Sequence, residues 1–327
     1  MSDIMDRRFK EIFERILQAE RILLTFHKSP DGDCTGSAFA LYYALRSLGK
    51  DAVIVSPEGL PFNCQFLNRG NVVRDSISDN ERFDLTIVLD LSEPKRLMRG
   101  IDVAKREIFG FVINLDHHIT GSGVGDVVIQ IPEAAATAEI VYDILKANNV
   151  RFDRDIAEAL YTAIMTDTGG FRYSSTTAKT FSIASDLMNY GISSWEIARE
   201  VYESEPKARI VLLSYALSTL RFEIDDSVAY MSLTLDMIKR AQATDDMTDQ
   251  FVNYARSIRG VKVGMLFRET QDGKVKVSLR SKDEVDIARF STLFGGGGHR
   301  NAAGIVLSYG LEESIQRIIT ALKDYLK

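Results

Sequence analysis

The sequence predicts an α/β protein in two parts. A mainly parallel sheet flanked by helices comes first, and a helical connector then leads to a smaller α/β domain with a mixed sheet. Three observations carry this. Short apolar runs recur at Arg21 to Phe26, Ala52 to Val55, Leu85 to Leu89, Phe111 to Leu115 and Val127 to Ile131, the pattern of strands buried on both faces. Helix-like segments stand among them, and such alternation builds parallel sheets covered on both sides. The chain has 327 residues, 45% of them apolar, which suits two domains with real cores.

Taken in order, Phe9, Ile12, Phe13, Ile16 and Leu17 fall at helical spacing, and the run at Arg21 follows as the first strand. Gly36 to Leu48 and Ala135 to Ala147 read as helices, and a helical pattern from Ile156 runs into Gly169 and Gly170. The character changes after about residue 190. SSWEIAREVY and PKARIVLLSYALSTLRF read as connecting helices, then strands are expected at Val228 to Leu235, Val261 to Arg268 and Lys274 to Arg280. The last two are joined by turn residues Gln271 to Gly273, as in a hairpin. The expected boundaries are 1–192 for the first domain, 193–222 for the connector and 223–327 for the second domain.

Forty basic and forty-six acidic side chains leave −6, so the chain as a whole repels a polyanion, and a general binder of long duplexes is disfavoured. The charge is uneven. Arg256 to Arg300 holds ten Lys or Arg and five Asp or Glu, a local +5 that leaves −11 elsewhere. That excess reads equally as ordinary surface variation. Two cysteines, Cys34 and Cys64, form neither a disulfide framework nor a zinc-finger spacing. With no apolar run of membrane-spanning length and no apolar signal core at the N-terminus, a cytoplasmic protein without membrane attachment is expected.

Four segments carry chemistry. HKSPDGDCTGS, at the end of the first strand, offers His27, Asp31 and Asp33 on a loop stiffened by Pro30 and made flexible by Gly32. One nitrogen and two carboxylates suit manganese, magnesium or a related divalent cation, although capping aspartates in a turn have the same appearance. Asp90 closes the run Leu85 to Leu89 as either a cap or a ligand. Asp116, His117 and His118 close the run Phe111 to Leu115; two adjacent imidazoles project differently, so one can ligate a metal while the other faces substrate. Asp167 lies in MTDTGGF. Together His27, Asp31, Asp33, Asp90, His117 and Asp167 suffice for two metal ions sharing one carboxylate. Three of the chain's four histidines belong to these segments, and the fourth, His299, lies in GGGGHRNAAG. There a glycine backbone can approach an anion and donate N–H groups, with His299 and Arg300 beside it.

This ordered set resembles the four motifs of the DHH phosphoesterase superfamily, and GGGGHRNAAG resembles the substrate motif of its DHH-associated C-terminal domain. Size and the lack of extra domains resemble the nanoRNase/pAp-phosphatase branch. The resemblance implies that His27, Asp31 and Asp90 hold one ion and that Asp33, Asp90, His117 and Asp167 hold the other, with Mn(II) expected and Mg(II) or Co(II) as substitutes. It implies that His118 faces the phosphate with Asp90 and Asp116 completing the catalytic set, Asp116 standing one layer behind the ligands. Arg280 with Ser281, Gly297, Gly298, His299 and Arg300 would then hold the substrate. Cys34 stands where alanine is frequent in the family and is given no catalytic role.

The expected activity is hydrolysis of short oligonucleotides from an end, together with removal of the 3′-phosphate of 3′-phosphoadenosine 5′-phosphate (pAp). The alternatives are a phosphodiesterase acting on c-di-AMP or its linear product pApA, and a non-catalytic nucleotide sensor. Family II pyrophosphatases lack the GGGGH motif, RecJ-like nucleases carry additional nucleic-acid-binding modules, and tRNA-editing modules lack the DHH half. A homodimer is left open.

Overall fold

The computed structural model describes residues 3–78, 80–282 and 285–326; the side chains of Asp3, Ile4 and His299 also lie outside the described residues. The chain forms two compact units, residues 1–204 and 205–327.

The first unit runs α1 (Asp3–Gln18), β1 (Arg21–Phe26), α2 (Gly32–Ser47), β2 (Asp51–Val55), β3 (Val73–Arg74), β4 (Leu85–Leu89), α3 (Arg106–Phe109), β5 (Phe111–Asp116), β6 (Val127–Gln130), α4 (Thr137–Ala147), α5 (Arg154–Asp167), α6 (Ala178–Met188) and α7 (Ser194–Tyr202). Its six strands lie in the order β3-β2-β1-β4-β5-β6 and all pair in parallel. All of β4 and all but the first residue of β1 and β5 are buried, which is why they read as unbroken apolar runs rather than alternating ones. Phe9, Ile16, Phe39 and Leu41 cover them from α1 and α2; burying each such side chain contributes about 1.5–3 kcal/mol.

One expectation is corrected here. The helix placed from Gly36 begins at Gly32, so Asp33 belongs to its first turn and not to a loop. Asp31 is the N-cap, its Oδ1 accepting from the N–H groups of Asp33 and Cys34 at 3.1 Å each, an arrangement that stabilises a helix start by about 1 kcal/mol. Gly32 serves close approach. A methyl there would overlap the Thr166 side chain of α5, and one at Gly36 would meet the Ala159 carbonyl oxygen at 2.5 Å. The two glycines let α5 lie directly on α2.

The second unit runs α8 (Lys207–Ser218), β7 (Arg221–Glu223), β8 (Val228–Leu233), α9 (Leu235–Ala241), α10 (Val252–Ser257), β9 (Val263–Glu269), β10 (Val275–Ser281), α11 (Ile287–Thr292), β11 (Gly297–His299), β12 (Ala302–Leu307) and α12 (Leu311–Tyr325). Its sheet has the order β11-β12-β10-β9-β8-β7, parallel between β8 and β9 and antiparallel elsewhere. One face packs Val263, Val277 and Ile305 against Phe290, Ile318 and Leu322 of α11 and α12. The other packs Met231 and Leu266 of β8 and β9 against Leu212 and Phe251. The two connecting helices fall on either side of the division between the units, but the second ends at Ser218, and Arg221 and Phe222, expected at its end, belong to β7.

Candidate metal centre and phosphate site

β1, β4 and β5 are neighbours in the first sheet, and β1 is flanked by β2 on one side and β4 on the other, the kind of switch point at which open α/β sheets bind ligands beyond the carboxyl ends of the strands. His27 follows β1, Asp90 follows β4, and Asp116 ends β5 with His117 and His118 after it. Asp33 comes from the first turn of α2, and Asp167 is the last residue of α5. The glycine contact between these helices therefore brings carboxylates from two distant segments to the same edge.

Asp90 stands at the middle. Its backbone takes the left-handed conformation, φ 56°, which aspartate tolerates better than branched residues do. Its Oδ2 lies 3.3 Å from His27 Nε2, which is also 3.7 Å from Asp31 Oδ2. Its Oδ1 faces the other way, 3.6 Å from His117 Nε2, and that nitrogen is 3.4 Å from Asp167 Oδ2 and 3.8 Å from Asp33 Oδ2. The six residues expected to surround metal ions thus converge, grouped around the two oxygens of Asp90. His118 turns its Nδ1 to Asp116 Oδ1 at 2.6 Å, and the same nitrogen is 3.4 Å from Asp90 Oδ1.

The cluster carries an excess of negative charge, four carboxylates around two imidazoles, with Asp33 and Asp90 buried, Asp167 partly so and Asp31 exposed. Burial raises the Asp167 carboxyl to about 7 against the pull of His117, with Asp90 adding to the rise. Burial, then Asp90 and Asp167, push Asp33 well above the usual range. Burial also disfavours the His117 cation, but Asp167, Asp90 and Asp33 outweigh it and raise that imidazole to about 10. Asp90 moves the other way: burial is overcome by His27 and His117, which hold it ionised. Two nitrogens and several carboxylate oxygens arranged to receive positive charge fit divalent cations of the oxygen-preferring kind, and the cluster can hold divalent metal.

In the second unit Arg280 is half-buried on β10, and the exposed Gly297 and Gly298 lie on the edge strand β11 with the exposed Arg300 beyond it. Gly298 has φ 149°, and a Cβ there would strike the Ala302 carbonyl. The backbone of His299 ends β11, while its side chain lies outside the described residues. Successive residues of a strand face opposite sides, so Ser281 is buried, with its hydroxyl donating to Val285 O at 2.7 Å and its N–H to Asn301 O at 3.0 Å. It has no free donor to offer a phosphate.

Three contributors escape sequence reasoning. Arg96, in a basic turn, points Nη2 at His27 Nδ1 from 3.4 Å. Ser37 donates to Asp33 Oδ1 at 3.2 Å. Thr137 donates its N–H to Asp33 Oδ2 at 2.7 Å and its hydroxyl to Asp90 Oδ1 at 3.0 Å. The signal available for the last was the start of α4, AATAE, a helix with alanine at its N-cap and no capping side chain of its own.

Residues 21–164 match the family model described as the DHH family, N-terminal domain, and residues 225–327 match the DHHA1 domain. A bifunctional oligoribonuclease and PAP phosphatase, NrnA, of Thermus thermophilus is 33% identical, with 93% of this chain and 90% of that protein covered. A probable enzyme of the same name from Streptococcus mutans is 32% identical over 98% of this chain and 99% of its own. Among solved structures, an exopolyphosphatase-related protein from Bacteroides fragilis superposes with a TM-score of 0.89 at 28% identity, covering 98% of this chain and 96% of that one.

Proposed function

The chain belongs to the DHH family of phosphoesterases, and from that premise we propose that it hydrolyses oligonucleotides of two to five residues from one end to mononucleotides and converts pAp to AMP. The observation that carries the proposal is the placement of Asp90 between two groups of nitrogen and oxygen donors, His27 with Asp31 on one side and His117 with Asp33 and Asp167 on the other. In this reading each group would hold one divalent ion, Mn(II) by preference, with Asp90 available as a ligand to both.

Bound ions supply Lewis acidity toward the phosphate and acidify the attacking water. Water adds to phosphorus, the ester bond breaks, and the departing ribose oxygen takes a proton. His118 would touch the phosphate, its ring fixed by the contact of Nδ1 with Asp116 Oδ1 at 2.6 Å; with both ring nitrogens protonated, Nε2–H is a donor that stabilises charge developing on a phosphoryl oxygen. Residues 1–192 are assigned to catalysis, 193–222 to a connector and 223–327 to substrate binding, with Arg280 and the backbone of Gly297 and Gly298 receiving a terminal phosphate. A cytoplasmic setting belongs to the same reading and agrees with two buried free cysteines. No helix among the described residues is long and apolar enough to cross a membrane.

The test is a panel: purified protein with Mn(II), Mg(II) or Co(II) against pAp, pApA, c-di-AMP, pyrophosphate and oligonucleotides of two to twenty-four residues. The expected result is rapid turnover of pAp and of the shortest oligonucleotides, with mononucleotides released from the first time points. A 24-mer degraded as fast as a 3-mer, or cut internally, would contradict the grip on one end. Turnover confined to c-di-AMP or pApA would replace the proposed substrates with those.

A further inference from the structure

We propose that Thr137 is a positioning residue that holds the carboxylates of Asp33 and Asp90 in a fixed relation, and so sets where the two divalent ions bind relative to each other. The inference rests on the two-ion reading above and adds to it a residue that is not itself a ligand.

Thr137 is the first residue of α4 and is fully buried. Its N–H and that of Ala138 donate to the two oxygens of Asp33, at 2.7 and 3.1 Å. Asp33 therefore supplies the cap that Ala136 cannot, from a helix 104 positions earlier in the chain. The positive end of an eleven-residue helix faces this carboxylate and offsets its charge. Threonine inside a helix commonly returns its hydroxyl to a carbonyl of the preceding turn. Here no earlier turn exists, and the hydroxyl donates instead to Asp90 Oδ1 at 3.0 Å.

Asp33 rides on α2 and Asp90 on the end of β4. Through Thr137 both are hydrogen-bonded to one rigid helix start. Each carboxylate keeps an oxygen pointed at the imidazoles, Asp33 Oδ2 toward His117 and Asp90 Oδ2 toward His27. Partners that orient ligands in this way commonly change metal affinity 10–100-fold when they are removed.

Thr137→Val keeps the shape and the backbone donor while deleting the hydroxyl; Thr137→Ala deletes it without placing a methyl against Asp90; Thr137→Ser restores it. Each is titrated with Mn(II) by calorimetry, melted without metal and assayed on pAp. Val and Ala should weaken the more loosely held ion roughly 10–100-fold and lower kcat by a similar factor, with KM for pAp within about threefold of wild type; Ser should recover both ion affinity and kcat to within about threefold. Should Val fail to fold, Ala is judged on the same criteria. Wild-type ion affinity and kcat in the hydroxyl-deleted variant would overturn the inference, as would a lowered melting point with ion affinity unchanged, because a merely structural hydroxyl would give that result. A wild-type protein that binds fewer than two ions would instead overturn the two-ion reading itself, so the two failures are told apart by the wild-type titration alone.

Discussion

The two sheets carry their chemistry in different ways. In the first, β1, β4 and β5 are buried along nearly their whole length, so ionisable groups are confined to the strand ends, where His27, Asp90 and the Asp116 to His118 segment are found. In the second, β10 alternates buried positions with less buried ones, and Lys276, Ser278 and Arg280 share a face while their neighbours in the chain enter the core. In a doubly covered parallel sheet the end of an apolar run marks the site. In a sheet open on part of one face, adjacency in sequence misleads, because two neighbouring residues point to opposite sides.

Substitutions at the two sheets should fail in different ways. The largest effect is expected at Asp90. Asp90→Asn suits the left-handed backbone but removes charge from both donor groups, so turnover of pAp and of dinucleotides should drop by about 10³-fold or more with loss of bound ion. Two ions bound with full turnover, measured by metal analysis and steady-state kinetics, would show that Asp90 does not join the two groups.

The next effect belongs to β10. Arg280→Ala should raise KM for pAp by roughly 10–150-fold, the loss of about 1.5–3 kcal/mol for a charge-assisted hydrogen bond, with bound metal unchanged. Ser281→Ala should leave KM alone and instead cost about 1–3 kcal/mol of stability in urea titration, because Val285 O would lose its donor. If Ser281→Ala raised KM as Arg280→Ala does, the alternation argument would fail.

The smallest effect is on pH dependence. Asp167 at about 7 and His117 at about 10 both have folded-state pKa values above their usual ones, mainly through burial for the first and despite it for the second. A raised pKa means that the folded state holds its proton longer, so its contribution to stability is present at low pH and is lost as pH rises, from about 4 to 7 for Asp167 and from about 6.5 to 10 for His117. The metal-free protein should therefore melt several degrees lower at pH 8.5 than at pH 5, on the order of 5 °C. Saturating Mn(II) should remove most of that difference. Trp195, the only tryptophan, lies on α7 of the first unit and makes its fluorescence a reporter of that unit. A metal-free midpoint that does not change with pH would mean that neither burial of Asp167 nor the carboxylates around His117 raise these groups as described.

Much of this was legible in the chain. The strand ends and their ligands announced themselves because burial on both faces leaves an ionisable residue nowhere else to stand, while Thr25, Thr86 and Asn114 are the neutral polar groups buried within the strands. The start of α2 was read four residues late because PDGDC looks like a turn until Asp31 is recognised as a cap whose helix begins at glycine. Gly32 was read as flexibility, whereas its missing side chain admits Thr166, a contact between segments far apart in the chain that no local pattern encodes. Thr137 escaped for the same reason: the helix start at Ala136 looks uncapped until a carboxylate from α2 arrives. What local sequence does not show is which distant group completes a local deficiency.

The left-handed turn at Asp90 also limits the substitutions open to the chain at that position. Glutamate would keep the charge but meet the steric penalty of that backbone and lengthen the reach, while asparagine or glycine would suit the backbone and lose the charge. No conservative neighbour satisfies both demands. Asp31 sits in an extended conformation at a helix cap, φ −119°, where asparagine or serine is equally at home. In a saturation library selected for activity, position 90 should return aspartate alone, whereas position 31 should return a graded series in which weak variants survive.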